Sequence, residues 1–220
     1  MAPSIVVSYD GTPDDDDALA LGKVFAQFGA SVALAYVRHS RLQDEAAEER
    51  ERRAAAKLLE RGAEQLGAET ATHVLFNPST ADALRELIEG EGFDVIVFGS
   101  SYRTPAGHVA PGRAAGALLD SGPSAVALAP AGYRDEDPKI EKVAVISYAT
   151  GDAAEETSRS FGLDVVPAPA ADADLIVFAS RPGVAKGRVS IPAASEQLAE
   201  EAAFCPVLVV ANETPLDFSS

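Results

Sequence analysis

The sequence predicts an α/β protein: an open, doubly wound parallel sheet of five strands, followed by a truncated second α/β repeat. Two observations carry that prediction. Short β-branched segments bounded by turn residues alternate with segments of helical spacing, the βαβ rhythm of a parallel sheet. The chain also repeats itself. Asp94-Val-Ile-Val-Phe-Gly99, running on to Gly107 and Gly112, is echoed by Asp174-Leu-Ile-Val-Phe-Ala179, running on to Gly187 and Pro192. An earlier echo precedes each copy, since Ile5-Val-Val-Ser-Tyr-Asp10-Gly11 is matched by Ala144-Val-Ile-Ser-Tyr-Ala149-Thr150. The apolar strands persist between copies, while Gly99 and Gly112 become Ala179 and Pro192.

Taken in order, strands are predicted over 4–8, 31–37, 72–76, 94–98 and 124–128. The acidic run Asp14-Asp15-Asp16-Asp17 falls at the start of the first helix, where negative charge complements the dipole and is solvated. Residues 44–66 read as a solvated surface helix, with Glu48/Arg52 and Glu49/Arg53 at four-residue spacing. Ser79-Thr-Ala-Asp82 opens the next helix in the manner of a capping box, and Leu84, Leu87 and Ile88 form its buried stripe. A helix over 113–119 leads to the fifth strand. Residues 131–138 then break the apolar rhythm with Gly, Pro and charge, and read as a linker.

Beyond the linker come a strand over 142–147, a polar helix over 152–161, and strands over 163–166, 175–178 and 206–210. Two units follow, 1–132 and 139–213. In the second, the first strand and the strand before the loop are only about thirty residues apart, against about ninety in the first. There is no room for complete second and third βα units, so an incomplete sheet is expected.

Composition removes several function classes. A net charge of -16 and a pI near 4.5 repel polyanions, so duplex nucleic acid is not an expected partner. A single nucleotide stays compatible, because a few backbone N–H groups can cradle it locally. Cys205 is the only cysteine, which leaves no disulfide and no cysteine-based metal cluster, and reads as a buried small hydrophobe. His39, His73 and His108 show no metal-ligand spacing. No apolar run approaches the ~20 residues of a spanning helix, and no leader-like segment precedes Ile5, so a cytoplasmic protein without a membrane partner is expected.

Ligands of doubly wound sheets settle beyond the carboxyl ends of neighbouring strands whose connections diverge. Asp10 and Gly11 end the first strand; Gly99 and Ser100 end the fourth. If these strands are neighbours, both corners face one crevice, and the helix after Gly112 offers free N–H groups to an anion. Each residue also has a purely structural use. Gly99 and Gly112 serve equally as turn glycines, Asp10 as a helix cap. The acidic run suits magnesium as well as the helix dipole. His108 reads as a loop residue.

The strand, Asp10-Gly11, the long loop with Gly99 and Gly112, and the closing Ala-Val-Ala-Leu-Ala strand together resemble the universal stress protein family. The resemblance covers residues 4–130 as a full unit and 142–212 as a degenerate one. It implies the five-stranded, adenine nucleotide hydrolase-like fold and, in the nucleotide-binding branch, ATP or AMP held by a motif G-x2-G-x9-G-[ST]. Gly99 matches the first glycine and Gly112 the third. Tyr102 replaces the second, where its side chain would crowd the phosphate path, and Arg113 replaces the hydroxyl residue, where it would contact phosphate if turned inward. By position, Asp10 and Gly11 would lie near adenine and ribose, and Val37 would bracket the base. Phosphates would lie over Gly99, Ser100, Gly112, Arg113 and the N–H of Ala114, with magnesium present only alongside nucleotide.

Enzyme signatures are missing: there is no G-x4-G-K-[ST] phosphate loop and no G-x-S-x-G elbow, so regulation rather than catalysis is expected. Members of the family commonly pair their fifth strands, which implies an antiparallel, intramolecular pseudo-dimer here. A further homo-oligomer and a protein partner are compatible with it. The alternative is an interaction module without ligand, its former pocket filled by Tyr102 and Arg113.

Overall fold

The computed structural model describes residues 1–39, 45–67, 70–167, 172–191 and 205–219. Residues Asp44 and Pro192, which entered the sequence argument, lie outside that set. The first half supplies β1 (Ser4–Ser8), β2 (Ser31–Arg38), β3 (Ala71–Phe76), β4 (Val95–Gly99) and β5 (Ala125–Ala129), each within a residue of its predicted bounds. Its helices are α1 (Pro13–Gln27), α2 (Glu45–Leu66), α3 (Thr80–Glu91) and α4 (Arg113–Ser121). The second half supplies β6 (Lys142–Ile146), α5 (Ala153–Ser160), β7 (Asp164–Pro167), β8 (Leu175–Ala179) and β9 (Val207–Val210). The nine strands of the described residues join one sheet in the order β3-β2-β1-β4-β5-β9-β8-β6-β7.

The strands of the first half are parallel, with β1 between β2 and β4. Alternate residues serve opposite faces. Ile5, Val7, Val95 and Val97 pack with Leu21, Phe25 and Leu59 on one side, and Val6, Ile96 and Phe98 pack with Leu84 and Leu118 on the other. Both faces are covered, which explains why the strands are continuously apolar rather than alternating. The Ser79 hydroxyl accepts the Asp82 amide at 3.2 Å and starts α3 as its sequence predicts.

Across the centre, β5 and β9 run antiparallel, pairing Val126 with Val209, Ala127 with Leu208 and Leu128 with Val207. The Ser100 hydroxyl donates to Ala129 O at 2.7 Å, and the Ser180 hydroxyl donates to Val210 O at 2.8 Å. Ala129 therefore corresponds to Val210, and counting back, Ala127 corresponds to Leu208. These two residues pair with each other, so a local two-fold passes through them and the contact is isologous within one chain. The expected pseudo-dimer is present, and the described second half holds the incomplete order β9-β8-β6-β7.

Two features depart from the sequence reading. Residues 131–138 are not a loose linker: Tyr133–Glu136 form a 3-10 turn, with Tyr133 buried, clamped to α1. The clamp is Asp17, only 1% exposed, whose carboxylate accepts Gly132 N at 2.8 Å, Arg134 N at 3.0 Å and Arg134 Nη1 at 3.0 Å. In addition, packed chain continues past residue 213. Leu216 and Phe218 are buried, and Phe218 stacks on Phe161 at 4.3 Å and lies 5.5 Å from Phe25. The tail amides are bound too, Leu216 N to Thr157 Oγ1 at 2.9 Å and Phe218 N to Ser160 Oγ at 3.1 Å. This aromatic cluster ties α1 of the first half to α5 of the second.

Candidate functional site

Because β1 lies beside β4, the corners Asp10-Gly11 and Gly99-Ser100 sit at the same edge of the sheet. A cleft of about 270 Å³ opens beyond β1 and β2, lined by Tyr9, Asp10, Tyr36, Val37, His39 and Thr80 among others. Asp10 and Val37 thus meet in one cavity. His39 walls it, with Nε2 3.0 Å from the Thr80 hydroxyl and Nδ1 3.3 Å from Pro78 O. Gly99, Ser100, Gly112, Arg113 and Ala114 do not line this cleft.

The turn out of β1 requires Gly11. Its φ of +81° is left-handed, and an added Cβ would come within 2.5 Å of Leu58 Cδ1. Asp10 organises this turn rather than capping the helix: its Oδ1 accepts Thr12 N at 3.1 Å, while its own N–H donates to Asp15 Oδ2 at 2.6 Å. The residue at the N-cap of α1 is Thr12, which makes no side-chain capping bond.

The acidic run is accordingly not one solvated patch. Asp17 holds the 3-10 turn, Asp16 lies 3.4 Å from the Tyr9 hydroxyl, and Asp15 serves the Asp10 corner. Desolvation and the neighbouring Asp10 push the Asp15 carboxyl up to about 8. Its hydrogen bond in turn holds Asp10 below the usual carboxylate range. The pair shares one proton at neutral pH, which removes one negative charge from the mouth of the cleft.

The two motif glycines have different reasons to be glycine. A Cβ on Gly99 would lie 1.8 Å from the carbonyl oxygen of Asp14, so the first turn of α1 demands glycine there by contact alone. A Cβ on Gly112 would meet nothing within 4 Å. Gly112 is the N-cap of α4 with φ -70° and ψ 176°, a conformation open to any residue. Neither strain nor packing explains it, and the space before α4 stays open.

Ser100 is 3% exposed and its hydroxyl is engaged inside the loop, donating to Ala129 O and accepting Ala110 N at 3.2 Å. Tyr102 is 73% exposed with the Arg103 guanidinium 5.0 Å over its ring, so its side chain fills no pocket. Arg113 is exposed and its side chain makes no hydrogen bond or ion pair among the described residues, and Ala114 is half-buried. Among the described residues no cluster of His, Cys, Asp and Glu has the geometry of a metal site. No described helix is long and apolar enough to cross a membrane. Cys205 is buried, which pushes its thiol up to about 12 and leaves it inert.

Sequence reasoning missed the Asp17 clamp. Its signal was present in the spacing, because Asp17 shares a helical stripe with Leu21 and Phe25, both fully buried.

A parallel run of strands ordered β3-β2-β1-β4-β5, with its crevice where β1 meets β4, defines a doubly wound α/β fold, a class of sheet in which ligands settle beyond the strand ends. The profile of the universal stress protein family matches residues 1–130, and the chain belongs to that family. No curated protein matches it. Among solved structures it is similar to a universal stress protein from Archaeoglobus fulgidus, with a TM-score of 0.63 at 13% identity, over 94% of this chain and 98% of that one. It is also similar to a functionally unknown protein from Pseudomonas aeruginosa, with a TM-score of 0.58 at 13% identity, over 96% and 93% of the two chains. At these identities the likeness concerns the fold.

Proposed function

We propose that the first half binds an adenine nucleotide, ATP or AMP, in the crevice beyond β1, β2 and β4, and that the protein responds to the nucleotide without turning it over. The observation that supports this reading is the meeting of Asp10 and Val37 in one cleft beside the β1/β4 switch point. In this reading the base lies against Val37 and the ribose near Asp10 and Gly11. The phosphates run past Gly99 and the backbone of Ser100 to Gly112 and the N–H of Ala114, where the α4 dipole favours an anion. Arg113, exposed and without a partner among the described residues, turns inward onto phosphate. Magnesium enters only with the nucleotide. Ordering of residues 100–111 by the ligand then presents a changed surface to a protein partner.

Isothermal titration with ATP and AMP, each with and without magnesium, tests the proposal. Saturable heat, weakened about ten-fold by Arg113→Ala, is the expected result for one lost charge-assisted contact. The absence of heat at millimolar nucleotide overturns it. A ligand-free interaction module is the second reading, favoured by Asp15 already taking the Asp10 amide and by the engaged Ser100 hydroxyl. That reading requires a melting temperature unmoved by millimolar AMP, whereas a ligand at about 100 times its Kd adds ~2.7 kcal/mol to stability.

A further inference from the structure

Residues 181–188 read Arg-Pro-Gly-Val-Ala-Lys-Gly-Arg, three of the chain's 18 lysines and arginines with no acid among them, in a chain of 34 acids. The loop has the same hydrogen bonds as its first-half counterpart: Gly107 N to Ala131 O and Gly187 N to Asn212 O are both 2.8 Å. At the equivalents of Arg181, Lys186 and Arg188 the first half carries Ser101, Ala106 and His108. The cations are therefore particular to the second loop, the one that lost the motif glycine at Ala179.

That loop docks across the local two-fold onto the end of α4, through Val189 N to Gly122 O at 3.0 Å and Ile191 N to Leu119 O at 3.2 Å. Docking brings Arg181 and Arg188 to the same cleft as Arg85 of α3. The cleft measures about 640 Å³, within the range of ~300–1,000 Å³ typical of small-molecule sites. Arg181 is exposed and its side chain has no hydrogen bond or ion pair among the described residues. Among the described residues the Arg188 side chain pairs with Glu89 at 3.2 Å, both nearly half exposed, and the Arg85 side chain pairs with Asp82 at 2.8 Å. Such exposed pairs are weak and exchange readily for a better anion. Asp120, on the α4 wall, is the acid that faces the cleft and lines it.

We propose that this cleft binds a small phosphate-bearing polyanion of the pyrophosphate class. Three arginines line one cavity in a molecule whose net charge of -16 otherwise repels anions. Each guanidinium fork matches two oxygens of a phosphoryl group, and a diphosphate offers several such faces at once. Arg85 comes from the first half and Arg181 and Arg188 from the second, so the site exists only when the halves are paired. It is separate from the crevice at β1 and β2 and does not depend on nucleotide binding there.

Titration of the full chain with inorganic pyrophosphate at low ionic strength tests this inference. Saturable binding is expected, about ten-fold weaker for Arg181→Gln and weaker again for Arg181→Gln with Arg188→Gln. Arg113→Ala, at the other candidate anion position, weakens it less than Arg181→Gln does, and Asp120→Asn tightens it. Arg181 is exposed and unpaired among the described residues, so Arg181→Gln retains the wild-type melting curve and its effect reads binding alone. Three results overturn the inference: no saturable heat at millimolar pyrophosphate, greater loss in Arg113→Ala than in Arg181→Gln, or equal affinity for citrate.

Discussion

The loop after β4 and the loop after β8 are built from the same bonds and carry different chemistry. Ser101 N donates to Ala110 O at 2.8 Å where Arg181 N donates to Ser190 O at 3.0 Å. Gly107 at φ +81° answers Gly187 at φ +75°, and Ser100 answers Ser180. The loop conformation thus rests on a buried serine and a left-handed glycine, which both halves keep. It does not rest on Gly99 and Gly112, which only the first half has. Gly99 answers to the carbonyl of Asp14, and Gly112 answers to nothing in the described fold.

The corners after β1 and β6 differ further. In the second half Asp152 accepts Tyr148 N at 3.0 Å, Ala154 N at 3.1 Å and Glu155 N at 3.1 Å, and Glu155 accepts Gly151 N at 2.9 Å. Its amides are turned onto its own carboxylates, which leaves an anion little to bind. The first corner shares a proton between Asp10 and Asp15 and faces a cleft. The second half keeps the loop geometry while its corner amides are held by its own carboxylates.

The largest expected effect on this contrast comes from Asp17→Ala. Removing one partner of a buried, hydrogen-bonded ion pair costs about 3–5 kcal/mol, and two amides of the 3-10 turn lose their acceptor as well. Urea unfolding should show the loss, with the lower end expected because Arg134 keeps some water. Next is Gly99→Ala, whose Cβ collides with Asp14 O and should cost about 1–3 kcal/mol by overpacking. The mirror change Ala179→Gly should cost only about 0.5–1 kcal/mol, from backbone freedom. Equal effects in the same unfolding assay would break the claim that α1 is what demands glycine in the first half.

Ser100→Ala and Ser180→Ala should each cost about 1–3 kcal/mol, because each leaves buried groups unsatisfied, and the two values should agree. A clear difference in chemical denaturation midpoints would show that one loop leans on its serine less. The smallest effect is a slope with pH. The folded Asp15 holds its proton to about 8 while the unfolded one releases it near the ordinary value of 3.8. Its contribution is therefore fully present at low pH and is lost as pH rises from about 4 through about 8. Asp15→Asn, which can still accept the Asp10 amide, should flatten that decline when unfolding midpoints at pH 5 and pH 9 are compared.

Much of the fold was legible because its signals are local. The strands lie in β-branched runs, Ser79 and Asp82 mark a helix start, and β5 and β9 are apolar edges that invite each other. The site was legible only in part. Asp10 and Val37 were recognisable as strand-end residues, whereas the split of the acidic run was not, since four identical residues differ only in which neighbour each meets. Tyr102 looked obstructive in one dimension and points into solvent in three.

By itself the sequence determined the order and kind of the elements and the inheritance of one loop by two halves, because hydrophobic period and turn chemistry act over a few residues. Tertiary structure alone decided that Gly99 is a packing glycine, that Asp17 is a buried clamp, and that three arginines from two halves line one cleft. Those outcomes depend on distances between segments remote in the chain, which are set when the sheet and its helices close on one another and which no local pattern encodes.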